Sequence, residues 1–215
     1  MSPTPKASAL AASLAYAESF APQPAGCLAA RERALDLGMT PVSEGVTATL
    51  TLLARAIGAT AAVEVGTGTG ASALALLAGM APDGIVTSID PENESQLVAR
   101  QILRAEGIPN RRARLIAGQP LVVLPKLTDH AYDLIFVDGD PLEYVEYVDQ
   151  AMRLLRPGGI LVLHHALWNH QVADVTNDSD EPLIIREALE AVLNAESFTA
   201  ALWPIGDGLL VAVAT

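Results

Sequence analysis

The chain has 215 residues, 51% of them hydrophobic and 18% charged, which gives it enough apolar sequence for one full core and too little charge for a disordered chain. Its formal net charge of −12, from 13 basic and 25 acidic residues, argues against nucleic acid and anionic membranes as partners, since both favour a basic face. A lone cysteine, Cys27, excludes an internal disulfide and a multi-thiolate zinc site, and it suits a cytoplasmic protein.

No apolar run is long enough to span a bilayer, and residues 1–20 lack the pattern of a secretory leader. Residues 7–20 and 26–37 read as helices split by Pro22 and Pro24, and a third helix over 43–57 ends near Gly58. Together they make an N-terminal helical cap, residues 1–58, on a core of residues 59–215. From residue 61 short apolar strands alternate with helices. A strand at 61–65 leads through a glycine-rich turn to a helix at 71–79. A strand at 84–89 leads to a helix at 94–106, stopped by Gly107 and Pro109. The largest basic cluster, Arg111-Arg112-Ala113-Arg114, reads as a solvated turn before a third strand at 113–117. A short helix near 120–126, a strand at 132–137 and a helix at 141–155 follow. Pro157-Gly158-Gly159 reads as a turn into a fifth strand at 160–163. An exposed, Asn- and Asp-rich loop at 169–182 precedes a helix at 183–195. Two β segments, 197–203 and 208–213, are joined by Pro204-Ile205-Gly206-Asp207-Gly208, a good hairpin connector.

Continuous apolar strands alternating with helices predict a parallel sheet covered on both faces. The fold class is therefore α/β, a single Rossmann-like domain ending in an antiparallel hairpin, with its ligand beyond the carboxyl ends of the strands. The strongest motif is Val63-Glu64-Val65-Gly66-Thr67-Gly68-Thr69-Gly70-Ala71-Ser72. It follows a strand and opens a helix, so its glycines allow a sharp turn and its free N–H groups face an anionic ligand group. Asp90 ends the second strand, twenty positions after Gly70, where a carboxylate accepts from both hydroxyls of a ribose. A strand-end Asp that caps the next helix is the plainer alternative. These features fit both S-adenosylmethionine and NAD. The methyl donor is favoured because Glu64 sits just before the glycines, where it would repel a pyrophosphate. The terminal hairpin, in place of a second βαβ half, points the same way.

The chain resembles the cation-dependent O-methyltransferases, the group of the catechol and caffeoyl-CoA enzymes and their small bacterial relatives, actinobacterial members above all. The likeness runs from about Arg31 to Val213. It rests on Met39-Thr40-Pro41-Val42, the loop from Glu64 to Ser72, Tyr132-Asp133-Leu134-Ile135-Phe136-Val137-Asp138 and Leu154-Leu155-Arg156-Pro157-Gly158-Gly159. Ala166-Leu167-Trp168 and the segment from Pro204 to Gly208 complete it. The resemblance implies a seven-stranded sheet, a homodimer and methyl transfer from S-adenosylmethionine to a phenol- or catechol-like hydroxyl. It assigns cofactor contacts to Val42, Glu64, Gly66, Thr67, Gly68, Ser72 and Asp90. It places Gln119 near the adenine and Asp138 against both cofactor and substrate.

The pattern breaks at the chemistry. The family's divalent metal uses the strand-four Asp, here Asp138, and a later Asp-Asn pair that falls on His164-His165. Magnesium prefers oxygen donors, whereas imidazole suits softer ions, so a softer metal on Asp138, His164 and His165 is the surviving metal reading. The family's catalytic Lys falls on Pro141, and neighbouring Asp140 reads as an N-cap. His164 and His165 become the candidate bases, with Asp138 as their partner. In a regular strand only one of them faces the substrate. Trp168 either walls the pocket or packs under the loop that follows, His170 reads as solvent-exposed and His130 as a turn residue. Two other functions stay open: a cofactor-binding protein that has lost catalysis, and a nicotinamide oxidoreductase.

Overall fold

The computed structural model describes the backbone of residues 5–215 and side chains from Ala9 onward. Three helices come first: α1 (Pro5–Glu18), α2 (Ala25–Asp36) and α3 (Glu44–Ala56). The alternating part follows as β1 (Ala61–Val65), α4 (Ala71–Gly79), β2 (Ile85–Asp90), α5 (Asn93–Ala105), β3 (Ala113–Ala117), α6 (Pro120–Val123), β4 (Tyr132–Val137), α7 (Tyr144–Leu154) and β5 (Leu155–Leu163). The chain ends with α8 (Asp180–Asn194), β6 (Phe198–Trp203) and β7 (Leu209–Ala214).

The seven strands form one sheet in the order β3-β2-β1-β4-β5-β7-β6. β1 to β5 run parallel, and β7 lies antiparallel between β5 and β6. Alternation along each strand fills both faces. In β4, Leu134 and Phe136 join the core shared with α3 and α4, while Ile135 and Val137 join the core shared with α7 and α8. The register sets Val65 beside both Ile89 and Val137, and Val137 beside Leu163. Gly66, Asp90, Asp138 and His164 therefore leave the sheet along one edge.

Three local details differ from expectation. β5 starts at Leu155, ahead of Pro157-Gly158-Gly159, because these residues form a bulge within the strand; its pairing jumps from Tyr132–Leu155 to Leu134–Ile160. Gly158 takes φ of 76° there, a region open to glycine. α8 starts at Asp180 and carries Pro182 in its first turn, where the missing N–H costs nothing. Arg112 is not solvated: its guanidinium donates to the carbonyls of Gly84 at 2.9 Å and Ala81 at 3.0 Å, tying the entry of β3 to the turn before β2.

At the other end of the sheet, the buried Asp133 carboxylate accepts from Thr60 N at 2.6 Å, Ala61 N at 2.8 Å and the Thr60 hydroxyl at 2.9 Å, and it pairs with Arg156. Burial raises its pKa, but these donors outweigh burial and hold it below the usual carboxylate range. Stability from this charge is present above the ordinary carboxyl pKa and is lost as pH falls through the depressed folded value. Asp133→Asn is expected to cost about 3 kcal/mol at pH 7. Urea unfolding at pH 7 and pH 3 checks this, and the gap between variant and native protein should narrow at the lower pH.

Candidate active site

The turn from β1 into α4 is built on backbone that only glycine takes easily. Gly66 has φ of 88°, and a Cβ on it would lie 2.1 Å from the Asp138 carbonyl oxygen. Asp90 braces the turn. Its Oδ2 accepts from Thr67 N at 2.8 Å and Gly68 N at 3.0 Å, and its Oδ1 accepts from Glu92 N at 2.8 Å. It thus acts as a turn brace on the cleft wall; the N-cap of α5 is Glu92, whose amide Asp90 holds, so Asp90 is not itself the cap.

A buried polar network lies under the turn. The Thr67 and Ser88 hydroxyls are 2.6 Å apart, Ser88 donates to Glu64 Oε2, and Gln96 Nε2 donates to Thr67 at 3.2 Å and to the Ile116 carbonyl at 2.9 Å. Glu64 is fully buried, and among the described residues its Oε1 has no hydrogen-bond partner. Burial pushes its pKa up to about 8, against the smaller opposing pull of the Ser72 and Ser88 hydroxyls.

Above the turn a cavity of about 280 Å³ holds Val42, Gly66, Thr67, Gly68, Ser72, Asp90 and Asp138 in its walls, together with His165 and Trp168. A second cavity of about 340 Å³ shares Gly66, Asp90 and Asp138 and adds Gln119 and Tyr147. One cleft thus gathers every cofactor residue expected from the sequence except Glu64, which lies beneath its floor. Among the described residues no Lys or Arg lines either cavity.

The two histidines follow the end of β5. His164 is buried; its amide donates to the Val137 carbonyl at 2.9 Å and its carbonyl accepts from the Tyr144 hydroxyl at 3.0 Å. The strand then stops being regular. His165 has φ of 53°, and Trp168, Asn169 and His170 also take positive φ, a conformation that costs side-chain-bearing residues energy and concentrates at functional sites. The one-face rule for a regular strand therefore does not apply, and both imidazoles reach Asp138. His164 Nδ1 is 2.7 Å and His165 Nε2 3.5 Å from Asp138 Oδ1, with the rings 3.9 Å apart. Burial raises the Asp138 pKa, and the two histidines more than offset it, so the carboxyl sits below its usual range.

Asp207 was missed as a functional residue, although its place between two glycines was visible. Its Oδ2 is 2.9 Å from His165 Nδ1, its Oδ1 accepts from Asn169 N at 2.7 Å, and its carbonyl accepts from Leu167 N at 2.9 Å. A carboxylate only accepts, so His165 donates from Nδ1 to Asp207 and turns Nε2 toward Asp138 at the cleft; in the neutral ring Nε2 is then the acceptor nitrogen. Trp168 meets the edge of the His165 ring at 5.8 Å and 83°, walling the cavity. Asp140 caps a short 3-10 turn, accepting from Leu142 N at 3.0 Å, and stands apart from the cluster. His130 sits in a turn and His170 is exposed.

Asp138, His164 and His165 each offer one donor atom, all within 4.8 Å of one another. The set does not fit magnesium, which needs mostly oxygen ligands in octahedral array. One carboxylate oxygen is on offer, it already accepts from His164, and the other two donors are imidazoles. Two imidazoles and a carboxylate are the donor types of a softer ion.

Residues 29–214 match the family described as O-methyltransferase. A candidate O-methyltransferase of Mycobacterium sp. strain JLS is 44% identical over 199 residues, 93% of this chain and 90% of that protein. A crystal structure of a Corynebacterium glutamicum protein superposes with a TM-score of 0.89 at 33% identity, covering 96% of this chain and 97% of that one. The O-methyltransferase TomG of Streptomyces achromogenes, solved in complex with SAM, gives a TM-score of 0.86 at 23% identity over 95% and 96% of the two chains.

Proposed function

The chain belongs to the O-methyltransferase family, and from that premise we propose that it transfers a methyl group from S-adenosylmethionine to a hydroxyl of a small phenol- or catechol-like molecule. The observation that carries this reading is the joining of the glycine-turn cleft to the Asp207–His165 pair. The turn and the N-terminus of α4 receive the amino-acid end of the cofactor. Asp90 receives the ribose, and Gln119 marks the adenine end. The acceptor oxygen then lies near His165 Nε2 and Asp138, and it attacks the methyl carbon in line with the departing sulfur. His165 takes the hydroxyl proton, and the sulfonium becomes a neutral thioether, S-adenosylhomocysteine. Most of the rate comes from alignment in a water-poor cleft. Because among the described residues no Lys or Arg lines the cavities, acceptors bearing phosphate groups are disfavoured.

Titration calorimetry with S-adenosylhomocysteine tests the cofactor half. Asp90→Asn is expected to weaken binding by about tenfold or more. Product release measured over a panel of phenols tests the other half, and an absence of product with every acceptor would leave only a cofactor-binding protein. A softer divalent ion on Asp138, His164 and His165 is a second reading, supported by the 4.8 Å grouping of their donor atoms; loss of activity on chelation would favour it.

The reading extends to a cytoplasmic homodimer. Among the described residues no helix is long and apolar enough to cross a membrane, and the lone Cys27 is buried. Leu10, Leu14, Tyr16 and Phe20 of the N-terminal region are exposed, which supports self-association through that face.

A further inference from the structure

α1 has little apolar attachment to the rest of the chain: of its described side chains, residues 9–18, all are exposed except Glu18. That one carboxylate makes three contacts. Oε2 accepts from the Ser43 hydroxyl at 2.7 Å and from Gly45 N at 2.9 Å, and Oε1 accepts from Gly206 N. A Cβ on Gly45 would lie 2.5 Å from Glu18 Oε2, so the approach depends on a bare glycine. Gly206 is held as closely on its other sides. It takes φ of 59°, and a Cβ there would come within 2.8 Å of Val46 and 3.3 Å of His164 Nε2.

The next residue is Asp207, whose carboxylate orients His165. The connector from β6 to β7 is thus held on one side by Glu18 and the start of α3, and on the other by the 165–169 segment, through Leu167 N and Asn169 N. Ser43, the other partner, directly follows Met39 to Val42 in the cleft wall. One carboxylate on a peripheral helix therefore joins the segment that borders the cofactor to the loop that orients the base.

We propose that Glu18 is a positioning residue for methyl transfer, a latch by which α1 holds the Gly206–Asp207 loop where Asp207 fixes the orientation of His165. The proposal rests on the reading of His165 as the base, and its test is arranged so that the two can fail separately. Outer partners of this kind typically change activity by 10- to 100-fold. Glu18→Ala is accordingly expected to lower kcat by about tenfold and to leave KM for S-adenosylmethionine within about threefold. Glu18→Gln, which keeps one acceptor oxygen, should recover part of the loss. In an Asp207→Asn background the same substitution should have no further effect, since both act through one residue. Ser13→Ala, an exposed position on the same helix, should match the native enzyme.

A second readout needs no turnover. Carbethoxylation of His165 by diethyl pyrocarbonate, followed by peptide mass spectrometry, should speed up severalfold in Glu18→Ala while His130 is unchanged. A folded Glu18→Ala protein with native kcat and native His165 labelling would overturn the proposal, as would a full additional loss in the Asp207→Asn background. Loss of cooperative melting in both Glu18 variants would also overturn it, by making Glu18 a support of the whole fold. Should the native protein release no S-adenosylhomocysteine with any acceptor, the transferase reading fails, and the labelling comparison still decides whether α1 governs His165.

Discussion

Asp207→Asn is expected to lower kcat by about 100-fold while the affinity for S-adenosylhomocysteine stays within about threefold. The reason is the direction of one hydrogen bond. Asp207 accepts from His165 Nδ1 at 2.9 Å, which turns Nε2 toward the cleft beside Asp138, and in the neutral ring that nitrogen carries the lone pair. An asparagine at 207 turns its amide nitrogen or oxygen to the same ring. When the nitrogen faces the ring it stabilises the other tautomer, and the Nε2 lone pair that receives the acceptor's proton is gone. The cavity wall proposed to bind the cofactor, formed by Gly66, Thr67, Gly68 and Asp90, does not include Asp207, so binding of the product nucleoside should be spared. Single-turnover kinetics alongside calorimetry separate the two quantities. An unchanged kcat would remove His165 from the reaction. Chelation provides the contrast with a softer metal on the same residues: native activity that survives a strong chelator belongs to the imidazole, and activity that is lost and restored by zinc or manganese belongs to the ion.

The strands and the residues that line the glycine-turn cleft were legible because each depends on local signals. Apolar runs bounded by glycine and proline located β1 to β4 to within a residue, and Gly66, Gly68 and Asp90 stood at the spacing that a nucleotide-binding βαβ unit imposes. What was not legible depends on contacts between distant segments. Asp207 read as one residue of a hairpin connector, and its role follows from β7 pairing with β5, which brings it 2.9 Å from a histidine 42 positions earlier. Glu18 gave no signal, because an acid near a helix end is ordinary and its partners lie at Ser43, Gly45 and Gly206. The histidine pair was legible as to residue, and only His165 lines the cavity; the approach of both rings to Asp138 was not legible. Period-two alternation separates neighbours, and the positive φ at His165 cancels it. The bulge in β5 has a similar origin, since Pro157-Gly158-Gly159 carries a turn signal that pairing with β4 overrides.

Glu64→Gln should bring two opposed changes, weaker cofactor binding and a more stable empty protein. Glu64 is fully buried with an unpartnered Oε1, and burial raises its pKa from 4.5 to about 8. Between those two values the unfolded chain has released a proton that the folded chain still holds, so the empty protein loses stability as pH rises across that window. At pH 7 the cost is about 3 kcal/mol. A glutamine holds no proton to lose, so the variant's stability should be flat over the same range and higher by about 2 kcal/mol at pH 7. The residue makes sense if a donor arrives with the ligand. The α-ammonium of S-adenosylmethionine is a cation delivered to the glycine turn, and it favours the ionised carboxylate. Binding should then expel a proton, and the affinity of native protein for S-adenosylhomocysteine should climb from pH 6 toward pH 8. Glu64→Gln is expected to weaken binding by about 30-fold at pH 7.5 and to abolish that climb. Calorimetry in phosphate and in Tris reads the proton directly, because the two buffers absorb it with different heats. Equal heats in both, with native affinity in the variant, would make Glu64 a structural acid under the turn and nothing more.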